Sequence, residues 1–165
     1  MGTFAIQIAK YYGAEVTAVD SSRKLELMRS IGADHVVDYR QEDFTKSGQY
    51  YDIILDTVAR RSLSEYQRIL NPGGLFVMVG GSRTAIFQAA FLGPLYSRDG
   101  EKHLGLNLWG KPYNKNDMEF LVELFEAGKV KPVIDKYYKL SEVPDALKYL
   151  EDGLALGKVV VTMES

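Results

Sequence analysis

Apolar residues recur along this chain with two alternating periods, one helical and one of strands, and the changes of period mark out its elements. Thr3–Tyr12 sets Ala5, Ile8, Ala9 and Tyr12 on one helical face, and Gly13 supplies the left-handed residue that ends it. Val16–Val19 then reads as a buried strand. Ser21 and Ser22 offer N-caps to a helix over Lys24–Ile31, with Leu25, Met28 and Ile31 inward and Gly32 as terminator. His35–Tyr39 predicts a second strand and Tyr51–Asp56 a third, whose unbroken Ile53-Ile54-Leu55 run suits a strand covered on both faces. Ser62–Leu70 is amphipathic, with Leu63, Tyr66, Ile69 and Leu70 apolar, and Asn71-Pro72-Gly73-Gly74 breaks it. Leu75–Val79 is the next strand and runs into Gly80-Gly81. Strands alternating with helices of this length predict a parallel sheet with helices on both faces.

The pattern changes after Gly81. Thr84–Leu95 is apolar but interrupted at Gly93-Pro94, and Lys102–Trp109 reads as an edge strand. Asn116–Ala127 predicts a helix capped by Asn116 or Asp117 and ended by Gly128, with Phe120, Leu121, Leu124 and Phe125 inward. Ser141 is placed to cap a helix through Leu150, with Pro144 in its first turn, and Lys158–Thr162 is a last strand.

Composition narrows the function classes. The chain has 165 residues, 46% of them hydrophobic and 25% charged, enough for an ordinary domain core. A net charge of −2 gives no reason to expect nucleic acid or an anionic membrane as partner. With no cysteine there is neither a disulfide framework nor a thiolate metal site. No apolar run approaches the ~18–20 residues that span a bilayer, and a cytoplasmic location is the expectation. His35 and His103 stand alone, so no metal site is expected, and no catalytic residue can be named.

Five segments, GTFAIQIAKYYGAEVTAV, SSRKLELMRSIGADHVVDY, YDIILDTV, LNPGGLFVMVGG and LSEVPDALKYLEDGLALGKVVV, resemble in order and spacing the medium-chain dehydrogenase/reductase superfamily. The resemblance is to its quinone-oxidoreductase-like and zinc-type alcohol dehydrogenase members and covers nearly all of the chain. It implies an α/β fold, a Rossmann-type doubly wound parallel sheet lacking its first, central strand and glycine-rich turn. Of that turn's GxxGGVG pattern only the last glycine, Gly2, stands here. On this reading residues 1–110 are a truncated dinucleotide-binding domain, and residues 111–165 would pack against a missing catalytic domain. Without the central strand, half-sheets would carry unpaired N–H and C=O groups, each costing ~1–3 kcal/mol if buried. The resemblance also implies a homodimer through the edge strand at 102–109.

The implied function is the cofactor-binding portion of an NAD(P)-dependent oxidoreductase, of the quinone/enone reductase or alcohol dehydrogenase type, not catalytically complete alone. The small-molecule partner is a dinucleotide, NADP favoured over NAD, and whether the truncated chain binds it stays open. Gly2 and Thr3 open a helix whose N–H groups and dipole attract phosphate, although a frayed terminus would read the same way. Asp20 ends the following strand, where a carboxylate accepts hydrogen bonds from a ribose. Ser22, Arg23 and Lys24 follow and suit a 2′-phosphate, which Asp20 would repel; the resemblance sets Lys24 and Tyr39 on that phosphate. Alternatively, Asp20 and Ser21 only punctuate a turn before a solvated helix face. Thr57 and Val79-Gly80-Gly81 close two strands at the edge where such sheets bind ligands, as a nicotinamide-facing wall or as a plain exit turn. Lys158 follows Gly157 at the step where the family brings a lysine toward the cofactor. Two rival functions remain, a cofactor-free remnant acting only as an oligomeric fold and an S-adenosylmethionine-dependent methyltransferase fragment. The second rests on YDIILD and LNPGGLFVMVG, and the tail after Gly81 lacks its reversed hairpin.

Overall fold

The computed structural model describes residues 1–81, 83–97, 102–104 and 114–163. In chain order the first elements are α1 (Gly2–Tyr11), β1 (Thr17–Asp20), α2 (Ser22–Ser30), β2 (His35–Asp38), β3 (Tyr51–Asp56) and α3 (Leu63–Ile69). There follow β4 (Leu70–Met78), α4 (Arg83–Tyr96), α5 (Lys115–Glu126), β5 (Ile134–Lys139), α6 (Val143–Glu151) and β6 (Lys158–Thr162). Among the described residues the strands form three two-stranded sheets, β1-β2, β3-β4 and β5-β6, all parallel. Parallel strands joined through helices are the α/β arrangement of a Rossmann-type domain. The chain divides into two compact units, Met1–Glu42 with Tyr113–Ser165, and Asp43–Pro112.

In the first unit β1 and β2 pair from Thr17↔His35 to Asp20↔Asp38, which brings two carboxylates side by side at the strands' carboxyl ends. The core beneath them is aliphatic: Ile6, Ala18 and Ala33 are buried, with Val16, Met28, Ile31 and Val36 packed around them. Contrary to the predicted face, α1 buries Ile6, and Tyr12 is 69% exposed. The helix ends at Tyr11 because Gly13 takes φ +76°, so Tyr12 leaves the helical face and meets Tyr11 and Phe120 instead. Gln7 anchors α1 to the loop after α5: its side chain accepts from Lys131 N at 2.8 Å and donates to Lys131 O at 2.9 Å.

The α5 helix starts earlier than expected. Asn114, not Asn116 or Asp117, is the cap, accepting from Asn116 N at 3.1 Å. Leu124 is buried, but Phe125 is 41% exposed. Ser141 does not cap α6; a 3₁₀ turn over Leu140–Glu142 leads into it, and Pro144 lies in the first turn. Strand β5 is absent from the sequence reading, because IDKYYK shows no apolar alternation. Its one signal is the strand preference of Tyr137-Tyr138. Gly157, just before β6, is required there: a Cβ would lie 2.4 Å from the Val133 carbonyl oxygen.

In the second unit β3 and β4 pair at Tyr51↔Leu70, lose register, and resume from Ile53↔Leu75 to Asp56↔Met78. The Asn71–Gly74 breaker is thus absorbed as an irregularity within β4. His103 bridges Leu75 on the other side, its carbonyl accepting from Phe76 N at 2.8 Å. His103 lies in the edge strand predicted over Lys102–Trp109; residues 105–109, and with them the dimer contact, lie outside the described residues. The core here is large and aromatic: Leu63, Tyr66, Leu70, Phe76 and Leu104 are buried, with Phe44, Ile54 and Met78 against them. Tyr66 and Phe76 stack with ring centroids 4.3 Å apart. Ser62 and Glu65 form a full capping box at the start of α3. Helix α4 runs through Gly93-Pro94, where a break was expected. Proline this close to a helix end loses a single backbone bond, and Ser97 N closes the turn on Gly93 O at 3.0 Å. The double cover expected for β3 is not met: Ile54 packs in the core, while Ile53 is 66% and Leu55 43% exposed.

Candidate functional site

The first unit gathers eight of the predicted residues. In α1 the Phe4 and Ala5 N–H groups already donate to Met1 O, at 3.1 and 3.2 Å. The Gly2 and Thr3 N–H groups precede those bonds and stand at the positive end of the helix dipole. A Cβ on Gly2 would meet nothing within 4 Å. Lys158 reaches this helix start. Burial lowers the pKa of the Met1 amino group, and Lys158 and then Lys24 lower it further. Lys158 Nζ also lies 5.1 Å from the centre of the Phe4 ring.

Beyond the helix start, Asp20 faces Lys24 at 3.4 Å and accepts from Ser21 N at 2.7 Å. The carboxylate expected to repel a phosphate therefore has a cation against it. Ser22 is the first residue of α2, and its hydroxyl donates to Asp38. That bond, then the Arg40 N–H at 2.9 Å, holds the Asp38 carboxyl below the ordinary aspartate range. Tyr39 N–H donates to Asp20 O at 3.1 Å, its ring is 41% exposed, and the Arg40 guanidinium sits 5.8 Å over it. Arg23 turns elsewhere, donating to Leu154 O at 3.5 Å. Asp38 and Arg40 are not among the sequence candidates, although Tyr39 between them is.

The second unit holds Thr57, Val79, Gly80 and Gly81. Val79 N–H donates to Asp56 O at 2.8 Å, which ties the exits of β3 and β4 together. Gly80 packs directly on the neighbouring turn: a Cβ there would lie 2.3 Å from Thr57 O. The glycine is needed for that backbone contact, whatever else approaches. Asp56 organises the turn, one oxygen accepting from Val58 N and Ala59 N at 2.7 Å each and the other from the Tyr66 hydroxyl. Burial, and next the bond to Asp56, push the Tyr66 phenol well above the ordinary tyrosine range. A cavity of about 680 Å³ opens beside the turn, lined by Thr57, Val58, Ala59, Arg60 and Gly81. Asp56 lies in the YDIILDTV segment, but its bond to Tyr66 and the placing of Arg60 carry no signal in the sequence.

Chemically, the first unit offers Lys158 and two N–H groups at the start of α1, and an Asp20–Lys24 ion pair at the end of β1. That donor set fits a dinucleotide carrying phosphates and ribose hydroxyls. Among the described residues no three histidines, aspartates or glutamates gather as a metal site, and no helix is long and apolar enough to cross a membrane.

Residues 31–161 match the family model described as zinc-binding dehydrogenase. The Mus musculus protein named NAD(P)H oxidoreductase RTN4IP1, mitochondrial, is 34% identical over 99% of this chain and 45% of its own length. The Solanum lycopersicum 2-methylene-furan-3-one reductase is 36% identical over 98% of this chain and 37% of its own. Among solved structures, the quinone oxidoreductase from Coxiella burnetii aligns with a TM-score of 0.79 at 24% identity, covering 99% of this chain and 49% of that one. A thermostable alcohol dehydrogenase from Pyrobaculum aerophilum aligns at 0.70 and 29% identity, over 98% of this chain and 46% of the other. The chain thus spans less than half the length of each of these relatives.

Proposed function

Because the chain belongs to the zinc-binding dehydrogenase family, within the medium-chain dehydrogenase/reductase superfamily, we propose that it is the cofactor-binding portion of an NAD(P)-dependent oxidoreductase and takes NADP in preference to NAD. The observation that carries this reading is the set of cations in the first unit: Lys158 Nζ stands 5.1 Å from the Phe4 ring in the first turn of α1, and Lys24 lies 3.4 Å from Asp20 at the end of β1. The helix-start N–H groups and Lys158 receive the diphosphate. Asp20 accepts from the ribose, and Lys24, released in part from Asp20, takes the 2′-phosphate beside Tyr39. Within the second unit, Thr57, Val79, Gly80 and Gly81 would offer a wall to a nicotinamide ring. The bound cofactor supplies the hydride; these residues supply orientation and a fixed place for each charged group. The reductase names of the relatives favour an enone, quinone or carbonyl compound as the acceptor.

Calorimetric titration of the chain with NADPH and NADH tests the proposal. NADPH should bind more tightly, and Lys24→Glu should weaken it by at least ~10-fold, the size of a charged hydrogen bond worth ~1.5–3 kcal/mol. NADH binding should change much less. Equal affinity for the two cofactors, unaltered by the substitution, removes Lys24 and the NADP preference. No heat with either cofactor favours the remnant reading.

A further inference from the structure

The turn after β3 is more tightly specified than a ligand wall requires. Ala59 has φ +48°, the one positive φ outside glycine among the described residues, and a side chain rarely tolerates that conformation. Three contacts impose it. Asp56 accepts from both Val58 N and Ala59 N at 2.7 Å. Tyr66 donates its hydroxyl to the same carboxylate. Tyr66 is in turn 1% exposed and stacked on Phe76. The turn is fastened to the core, and its conformation buries Ala59 while setting Arg60 out along the cavity.

The charges around it are uneven. Arg61 has two carboxylates, Asp43 at 3.3 Å and Glu65 at 3.6 Å. Arg60, exposed at the cavity beside Thr57 and Gly81, has no carboxylate within ion-pair distance among the described residues. Asp56, close by in the chain, has both oxygens engaged. A strained, core-anchored turn therefore holds out one uncompensated guanidinium over open space. Its planar fork matches an oxyanion with two parallel hydrogen bonds.

We propose that Arg60 is a specificity-determining residue that binds an oxyanion, a carboxylate or a phosphate, carried by the acceptor molecule entering the cavity beside Thr57 and Gly81. The acceptor role rests on the reading of this edge as the nicotinamide end; the anion site itself does not. Among enone, quinone and carbonyl acceptors, the favoured one therefore also carries an acidic or phosphorylated group that answers the guanidinium.

The test is an NMR titration of the full chain at constant ionic strength, following the Thr57, Ala59 and Gly81 amides. Sodium acetate and inorganic phosphate are added in separate arms, and NADPH in a third. A saturable shift with acetate or with phosphate supports the proposal and identifies the group. It should vanish in Arg60→Gln and persist several-fold weaker in Arg60→Lys. Shifts unchanged in Arg60→Gln, or no saturable shift with either anion, overturn the proposal. An NADPH response without an anion response overturns the Arg60 site alone and leaves the cofactor reading standing. An anion response that needs Arg60, without any NADPH response, upholds the anion site and overturns the cofactor reading together with the acceptor role.

Discussion

The two units place their candidate residues by different physical means. In the first, the buried residues are aliphatic, among them Ile6, Ala18, Ala33, Leu124 and Val130, and the functional corner is organised by polar contacts near the surface. Lys24 with Asp20 and Ser22 with Asp38 do most of that positioning. In the second, an aromatic core of Tyr66 and Phe76 reaches the turn through one hydroxyl, and the turn follows from packing. The contrast suits the two tasks proposed for them. A corner that takes a highly charged phosphate is set by groups that can exchange partners, and a wall facing a flat ring is set by groups that cannot.

Phe76→Ala breaks the second arrangement most directly. It removes a buried ring and should cost ~3–5 kcal/mol, whereas Ala18→Gly in the first unit should cost only ~0.5–1 kcal/mol. Urea unfolding read through amide signals assigned to each unit measures both. Similar losses in the two units would erase the distinction between them.

Tyr66→Phe sharpens it. The ring and its stacking remain, but Asp56 loses its buried donor, a change expected to cost ~1–3 kcal/mol. The amide shifts of Val58, Ala59 and Arg60 should move, while those of Asp20 and Asp38 stay in place. Unmoved turn amides would disconnect the core from the turn.

Acid titration is the mildest probe. Asp34 and Asp38 in the first unit and Asp43 and Glu65 in the second all have depressed folded-state pKa values. The leading causes are Lys10, the Ser22 hydroxyl, the Thr45 hydroxyl and the Ser62 N–H respectively. The unfolded chain then binds protons at higher pH than the folded one. The stabilisation is complete above the unfolded carboxylate range, about pH 4, and declines as pH falls below it toward the folded values. Melting temperature should be level from pH 7 to about 5 and drop below 4; a profile flat to pH 3 would show that these bonds contribute nothing.

What the sequence makes legible is local. The runs Tyr51–Asp56 and Lys158–Thr162 mark β3 and β6 to the residue, because β-branched and aliphatic residues are continuous there. Ser62 and Glu65 announce the start of α3 through their spacing. Asp20 and Lys24 are readable as neighbours because they sit four residues apart across a strand end and a helix start. Strand β5 is not, since three of its six side chains are charged and no apolar alternation marks it. The sign of φ at Ala59 and the grip of Tyr66 on Asp56 also escape the sequence, being produced by tertiary packing. Asp38 hides for a related reason: its partner Ser22 is brought to it only by the pairing of β1 with β2.

At Gly80 the backbone of one strand exit lies so near the Thr57 carbonyl that no other amino acid has room while β3 and β4 keep their register. Descendants of this chain cannot explore that position by small steps. Any lineage that abandons glycine must first pry the two strand exits apart, and with them the cavity they frame, so a binding edge of this shape is inherited whole or lost.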